Sequence, residues 1–171
     1  AKQQGAESHR AAPRLSFSVC PRASVRQLRL SISQHREKPA LEAHHKQITV
    51  YSECTEGAPV IYLPVVMGDG SGVYERCREL DCPPFTLVAI GGLDWNRELS
   101  PWECDGTIRD AEPFGGQAAG FLDELLGQII PEAESSLPQP PAWRGVAGYS
   151  LAGLFALWAL WQTDVFERVA S

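Results

Sequence analysis

The tightest constraint on how this chain can fold is a run of small residues around one serine, Gly148-Tyr149-Ser150-Leu151-Ala152-Gly153. A β-like approach, WRGVA (143–147), leads into it, and an apolar run, LAGLFALWALW (151–161), leads out. A sharp strand-to-helix turn has no room for side chains two positions either side of its apex. That accounts for Gly148 at minus two and Ala152 at plus two. Such a turn pushes the apex hydroxyl out of the end of a sheet, and the new helix offers its first N–H groups to an anion. Ser150 is therefore the candidate nucleophile, with Gly148 and Ala152 as the small residues of its elbow. An ordinary helix N-cap serine is the plainer alternative; the strand before it and the apolar helix after it favour the nucleophile.

The rest of the chain reads as strands alternating with helical segments. Residues 27–33 alternate with Leu28, Leu30 and Ile32 on one face, and residues 47–51 form a second short strand. Residues 59–66 (PVIYLPVV) are apolar on both faces, as a buried parallel strand should be, with Pro64 as an awkward member. A glycine-rich loop follows, then a short helix over 73–80 and another buried strand over 85–90. Residues 93–114 form a long polar stretch without a period. Helical spacing returns over 117–130, and Pro131 is expected to end it. The strand 145–149, the elbow, a helix to about residue 163 and a strand from 166 to 170 close the chain. This order predicts βαβ units with right-handed crossovers, hence an α/β fold with a mostly parallel central sheet and flanking helices. The helix after Ser150 is apolar nearly all round, which predicts that it is buried, with Trp158 and Trp161 in the core.

Composition excludes several classes. The chain of 171 residues is 44% hydrophobic and 21% charged, ordinary for one globular domain. Its longest apolar run is too short to cross a bilayer, so no membrane partner is expected. Five cysteines without a CxxC pair point to free thiols rather than a disulfide framework or a metal site, and the cytoplasm is the default compartment. Residues 1–46 carry nine Lys and Arg against three acids, net +6, while the remainder is net −12. With no interleaved aromatics to stack bases, the basic end reads as an irregular, solvated leader over residues 1–45 rather than a nucleic-acid arm.

Two further stretches invite chemistry. MGDGSG (67–72) lacks both the lysine of a phosphate loop and the spacing of a dinucleotide loop, so an ordinary turn or an anion-facing loop is the better reading. Asp69 there is expected to support the turn. DWNRELSPW (94–102) follows a central strand at the end where α/β sites lie. Trp95, Trp102 and Tyr149 are candidate pocket residues, and Asp94 with Arg97 is either part of that site or a structural ion pair.

Three segments carry a resemblance to a known family: LVAIGGLDWNRELSPW (87–102), FGGQAAGFLDELLGQIIPEAE (114–134) and GYSLAGLFALWALWQTDVFERVAS (148–171). With PVIYLPVV they span roughly residues 46–171. They resemble the α/β-hydrolase esterases, the broad group containing esterase D-like and siderophore trilactone esterases. The resemblance implies an α/β-hydrolase fold, a carboxylic ester or lactone as small-molecule substrate, and no cofactor or metal. It places the nucleophile on Ser150 and one oxyanion N–H on Leu151, with the second on Met67 or Gly68. This chain departs from the family at Ala152, where glycine is usual. It departs more seriously in its histidines, because His9, His35, His44 and His45 all precede Ser150, and only Asp164 and Glu167 follow it as acids. The acid and histidine are therefore expected beyond residue 171, making 46–171 the N-terminal part of an incomplete hydrolase domain. The rival expectation is a non-catalytic remnant that keeps the elbow. An incomplete sheet also predicts an exposed edge and self-association through it.

Overall fold

The computed structural model describes residues 24–29, 46–53, 55–106, 111–135 and 137–171. All four histidines lie outside these residues, as do Cys20, Cys54 and most of the expected leader.

The chain enters the sheet as an antiparallel pair, β1 (Ser24–Arg29) with β2 (Gln47–Ser52). The strand expected over 27–33 thus begins three residues earlier, its expected residues 30–33 lying outside the described ones, and the sheet begins ahead of residue 46. β3 (Val60–Pro64) then runs to α1 (Ser71–Glu79) and back through β4 (Thr86–Gly91), which pairs parallel with β3 and antiparallel with β2. Pro64 fits because it is the last residue of β3. The N–H of Val65 donates to Ile90 on the β4 side, so the N–H that Pro64 lacks would face β7, beyond the last paired residue, Tyr62.

The described part of the long stretch after β4 holds regular structure. It contains α2 (Trp95–Glu98) and a small ribbon of β5 (Glu103–Cys104) with β6 (Phe114–Gly115). Buried Ser100 ties it together: its hydroxyl donates to Asn96 O at 2.7 Å and accepts from Gly116 N at 2.8 Å. Gly116 at φ 63° lies against the Glu103 backbone, where a Cβ would come within 2.6 Å of its nitrogen.

α3 (Ala118–Glu124) passes through a π-helical turn (Leu125–Ile129) into α4 (Ile130–Ser135). Pro131 therefore does not end the helix as expected. The wider turn just before it relieves the clash a proline ring makes with the preceding turn of a regular helix. β7 (Arg144–Ala147), α5 (Leu151–Leu160) and β8 (Arg168–Ala170) complete the order β1-β2-β4-β3-β7-β8, with β4, β3, β7 and β8 mutually parallel.

Right-handed crossovers decide which face each helix covers. The chain moves one way from β3 to β4 and the other way from β4 to β7 to β8, so α1 lies on one face and α3, α4 and α5 on the other. Alternation along the strands agrees: Val60, Tyr62, Val88, Ile90 and Val146 pack with Phe121, Leu125, Ile129 and Phe155 in the main core. Leu87, Ala89, Ile61 and Leu63 face Tyr74 of α1.

The burial expected for α5 holds for one face only. Ala152, Phe155, Ala156 and Ala159 are buried, whereas Leu154 and Leu157 are partly exposed and Trp161 is 84% exposed. Trp158 packs against the core, but Trp161 does not, because no described element covers the outer side of α5.

Candidate active site

Ser150 stands between the last residue of a central parallel strand and the first turn of α5, at φ 57° and ψ −122°. Asp81 is the other described non-glycine residue with positive φ. An L-residue avoids this region, at a cost of about 1–3 kcal/mol, unless its surroundings hold it there. The surroundings do. A Cβ on Gly148 would meet the C and O of Ala152 at 2.2 Å and the N of Gly153 at 2.7 Å. Gly153 is also closely packed, with a built Cβ 2.6 Å from Ser171 Oγ and 3.1 Å from Gly148 O. Gly148 N donates to Ala170 of β8 at 2.9 Å, while Ser150 O accepts from Gly153 N and Leu154 N at 2.9 and 3.1 Å. The elbow is anchored to the sheet on one side and to the helix on the other.

The hydroxyl end of this turn opens into a cleft of about 370 Å³ lined by Trp95, Asn96, Phe114, Ser150, Leu151 and Leu154. Of the sequence-expected pocket residues, Trp95 lines it. Trp102 is 58% exposed and is not among its walls, and Tyr149 is 84% exposed beside Ser150. Asn96, Phe114 and Leu154 were not anticipated. Leu154 is four residues beyond Ser150, so helical spacing alone places it on the same side. Asn96 and Phe114 reach the cleft through the folding of 93–114, which has no periodic signal.

Met67 and Gly68 follow β3, the strand beside β7, at the same end of the sheet as Ser150. Met67 is 84% exposed and Gly68 has φ 73°. Asp69 Oδ1 accepts from Ser71 N at 3.0 Å, and this bond holds its carboxyl below the usual range. Asp69 supports the turn, as expected. Asp94 caps α2, accepting from Arg97 N at 3.4 Å and pairing with Arg97 Nε at 3.7 Å, so the structural ion pair exists.

A part-buried charge network involves α2 and α3. Lys46 Nζ bonds Glu98 and Glu124 at 2.6 Å each, tying β2 to α2 and α3, and Glu98 also accepts from Asp94 N at 2.8 Å. Burial works against the Lys46 charge, but the Glu124 and Glu98 hydrogen bonds outweigh it and raise its pKa. A second network joins β3, α4 and β7: Tyr62 donates to Glu134 at 2.9 Å, and Arg144 grips Glu134 at 2.6 and 2.8 Å.

Neither acid that follows Ser150 is placed to serve it. Both precede β8, whose parallel pairing with β7 puts them at the opposite end of the sheet from the elbow, and Glu167 N bonds Arg144 O at the start of β7. Among the described residues no group of three or more His, Cys, Asp or Glu could hold a metal ion, and no helix is long and apolar enough to cross a membrane.

A strained serine on a strand-to-helix turn beside a mixed, mostly parallel sheet with helices on both faces decides the architecture. The chain has the α/β-hydrolase fold. It superposes on an IroE-like serine hydrolase from Shewanella oneidensis with TM-score 0.64 at 20% identity, covering 85% of this chain and 49% of that one. The BES protein from Bacillus cereus gives 0.63 at 19% identity, with 99% and 64% covered. The siderophore hydrolase EstA from Aspergillus nidulans gives 0.57 at 21%, with 95% and 60% covered. In sequence the chain is 29% identical over 157 residues to Uncharacterized protein YbbA of Bacillus subtilis (strain 168), 82% of this chain and 59% of that protein. No protein-family model matches. The α/β-hydrolase-fold chain thus spans about three fifths of the length of this curated relative.

Proposed function

We propose that this chain is the nucleophile-bearing part of a serine hydrolase that cleaves a carboxylic ester or lactone through an acyl-serine intermediate. The observation that carries the reading is the backbone of Ser150, held in a costly conformation at the mouth of a cleft by contacts that exclude any residue but glycine at 148. A helix cap would not need that strain. Its likeness to solved proteins called siderophore hydrolases and serine hydrolases supports the same class.

In this mechanism a base takes the Ser150 proton and Oγ attacks the ester carbonyl carbon. The N–H of Leu151, at the head of α5, and that of Met67 or Gly68 hold the oxyanion. Collapse expels the alcohol with the proton, and water then releases the acid. Trp95, Phe114 and Leu154 offer an apolar wall to the acyl or alcohol part. A triad acid and histidine would have to reach Ser150 from outside the described lining of the cleft. Without a base only residual catalysis remains.

One set of observations favours a second reading, a non-catalytic remnant: among the described residues no titratable side chain lines the cleft, and Asp164 and Glu167 are at the wrong end of the sheet. The deciding experiment expresses the protein from its coding region through the stop codon and treats it with a fluorophosphonate probe. Labelling of the wild type and not of Ser150→Ala is expected. Equal labelling of both refutes the nucleophile. A stop directly after Ser171 with no labelling of either establishes the remnant.

A further inference from the structure

The end of α1 carries two cysteines that the elbow chemistry does not use. Beyond the cap residue Leu80, Asp81 takes φ 52°; its N–H donates to Arg78 O at 3.1 Å and the N–H of Cys82 donates to Cys77 O at 3.1 Å. These paired bonds define a Schellman ending, which brings the side chain three residues before the cap against the one two residues after it. That contact is ordinarily apolar; here both positions are cysteine, and, beyond burial, Cys82 is near enough to raise the Cys77 pKa. Cys77 is half-buried and Cys82 exposed, and both line a groove of about 570 Å³ on the α1 face of the sheet. A disulfide needs Cα atoms about 4.4–6.8 Å apart, the kind of separation that a 6→1 hydrogen bond imposes on the ends of its turn. Cys77 and Cys82 thus stand at the two ends of one hydrogen-bonded turn.

We propose that Cys77 and Cys82 form an oxidisable dithiol, closed to an intramolecular disulfide by exchange with a low-molecular-weight disulfide. The thiolate of exposed Cys82 attacks one sulfur of the small disulfide and expels one small thiolate. Cys77 then gives up its proton, attacks the Cys82 sulfur and expels the second. The protein loses two hydrogens and the reagent becomes two thiols. Burial, with Cys82 adding to it, pushes the Cys77 thiol up. Cys77 is accordingly the second, resolving sulfur, activated by proximity rather than by ionisation. Closure pins the left-handed cap at Asp81 to the last turn of α1 and stiffens one wall of the groove.

The test treats the folded protein with oxidised glutathione, blocks the remaining thiols with an alkylating agent and digests with trypsin. Cleavage after Arg76 and Arg78 leaves the dipeptide Cys77-Arg78 held to the peptide that starts at Glu79 only if the disulfide has formed. The expected product is this linked pair, two hydrogens lighter than its parts. In Cys77→Ser the link is lost and Cys82 retains a glutathione adduct. Denaturant before oxidation spreads the crosslinks over other cysteine pairs. A wild-type protein whose Cys82 keeps its adduct while Cys77 stays open to alkylation overturns the proposal. So does a native crosslink from either residue to a different cysteine, or no reaction at either while Cys104, also exposed, is modified.

Discussion

Replacing Gly148 with alanine tests the physical basis of the elbow. The added methyl would lie 2.2 Å from two backbone atoms of Ala152 and 2.7 Å from the nitrogen of Gly153. None of these can rotate away. Relief requires the first turn of α5 to withdraw by more than an ångström from β7, loosening Ala152, Phe155 and Ala156 from the main core. Overpacking a core against movable side chains costs about 1–3 kcal/mol, and contact with fixed backbone puts this case at about 3 kcal/mol or above. At about 2–4 °C per kcal/mol for a chain of this size, Tm falls by about 6–12 °C. The assay is thermal unfolding followed by circular dichroism, with Gly120→Ala as control. A Cβ at Gly120 in α3 meets nothing within 4 Å, and this variant should gain about 0.5–1 kcal/mol from lost chain freedom. Melting of Gly148→Ala within about 2 °C of wild type would refute the reasoning, because the elbow would then have slack that the distances deny.

Two further outcomes follow from charge and surface. Lys46→Met leaves Glu98 and Glu124 partly buried without their cation, a loss of about 3–5 kcal/mol by urea unfolding near neutral pH. The Lys46 pKa is raised above its unfolded value near 10.5, so its contribution is whole below that pH and disappears as pH rises through the folded value. Buried Tyr62, its pKa pushed up first by burial and then by Glu134, loses stability in the same alkaline window. The Lys46→Met protein should therefore show a smaller alkaline loss than wild type; an identical loss sinks the assignment. The 171-residue chain should self-associate, since among the described residues β8 lies at a sheet edge and Leu154, Leu157 and Trp161 are exposed. Sedimentation of a clean monomer at micromolar concentration contradicts this, and Leu157→Gln with Trp161→Gln should weaken the association.

Much of the architecture was legible because it rests on local rules. Gly148, Ser150 and Ala152 specify the turn through space that only small residues leave. The doubly apolar strands 59–66 and 85–90 announce burial on both faces, and their alternation with helices implies parallel pairing. Other features were hidden. Pro131 reads as a stop, yet the helix continues because a wider turn before it makes room. Trp161 reads as core from an all-apolar helix, yet composition cannot say how many sides of that helix find a partner.

What the sequence by itself determined is the elbow, the strand–helix order and the serine at its apex, since these depend on spacing and size within a few residues. What only the tertiary structure decided is which distant groups meet. Asn96 and Phe114 join Ser150 in one cleft, Lys46 bridges Glu98 and Glu124, and Asp164 and Glu167 fall at the far end of the sheet. Those outcomes follow from the hand of the crossovers and the register between strands, which pair residues dozens of positions apart. No local pattern encodes such contacts, because the free energy that selects them belongs to the packed sheet as a whole.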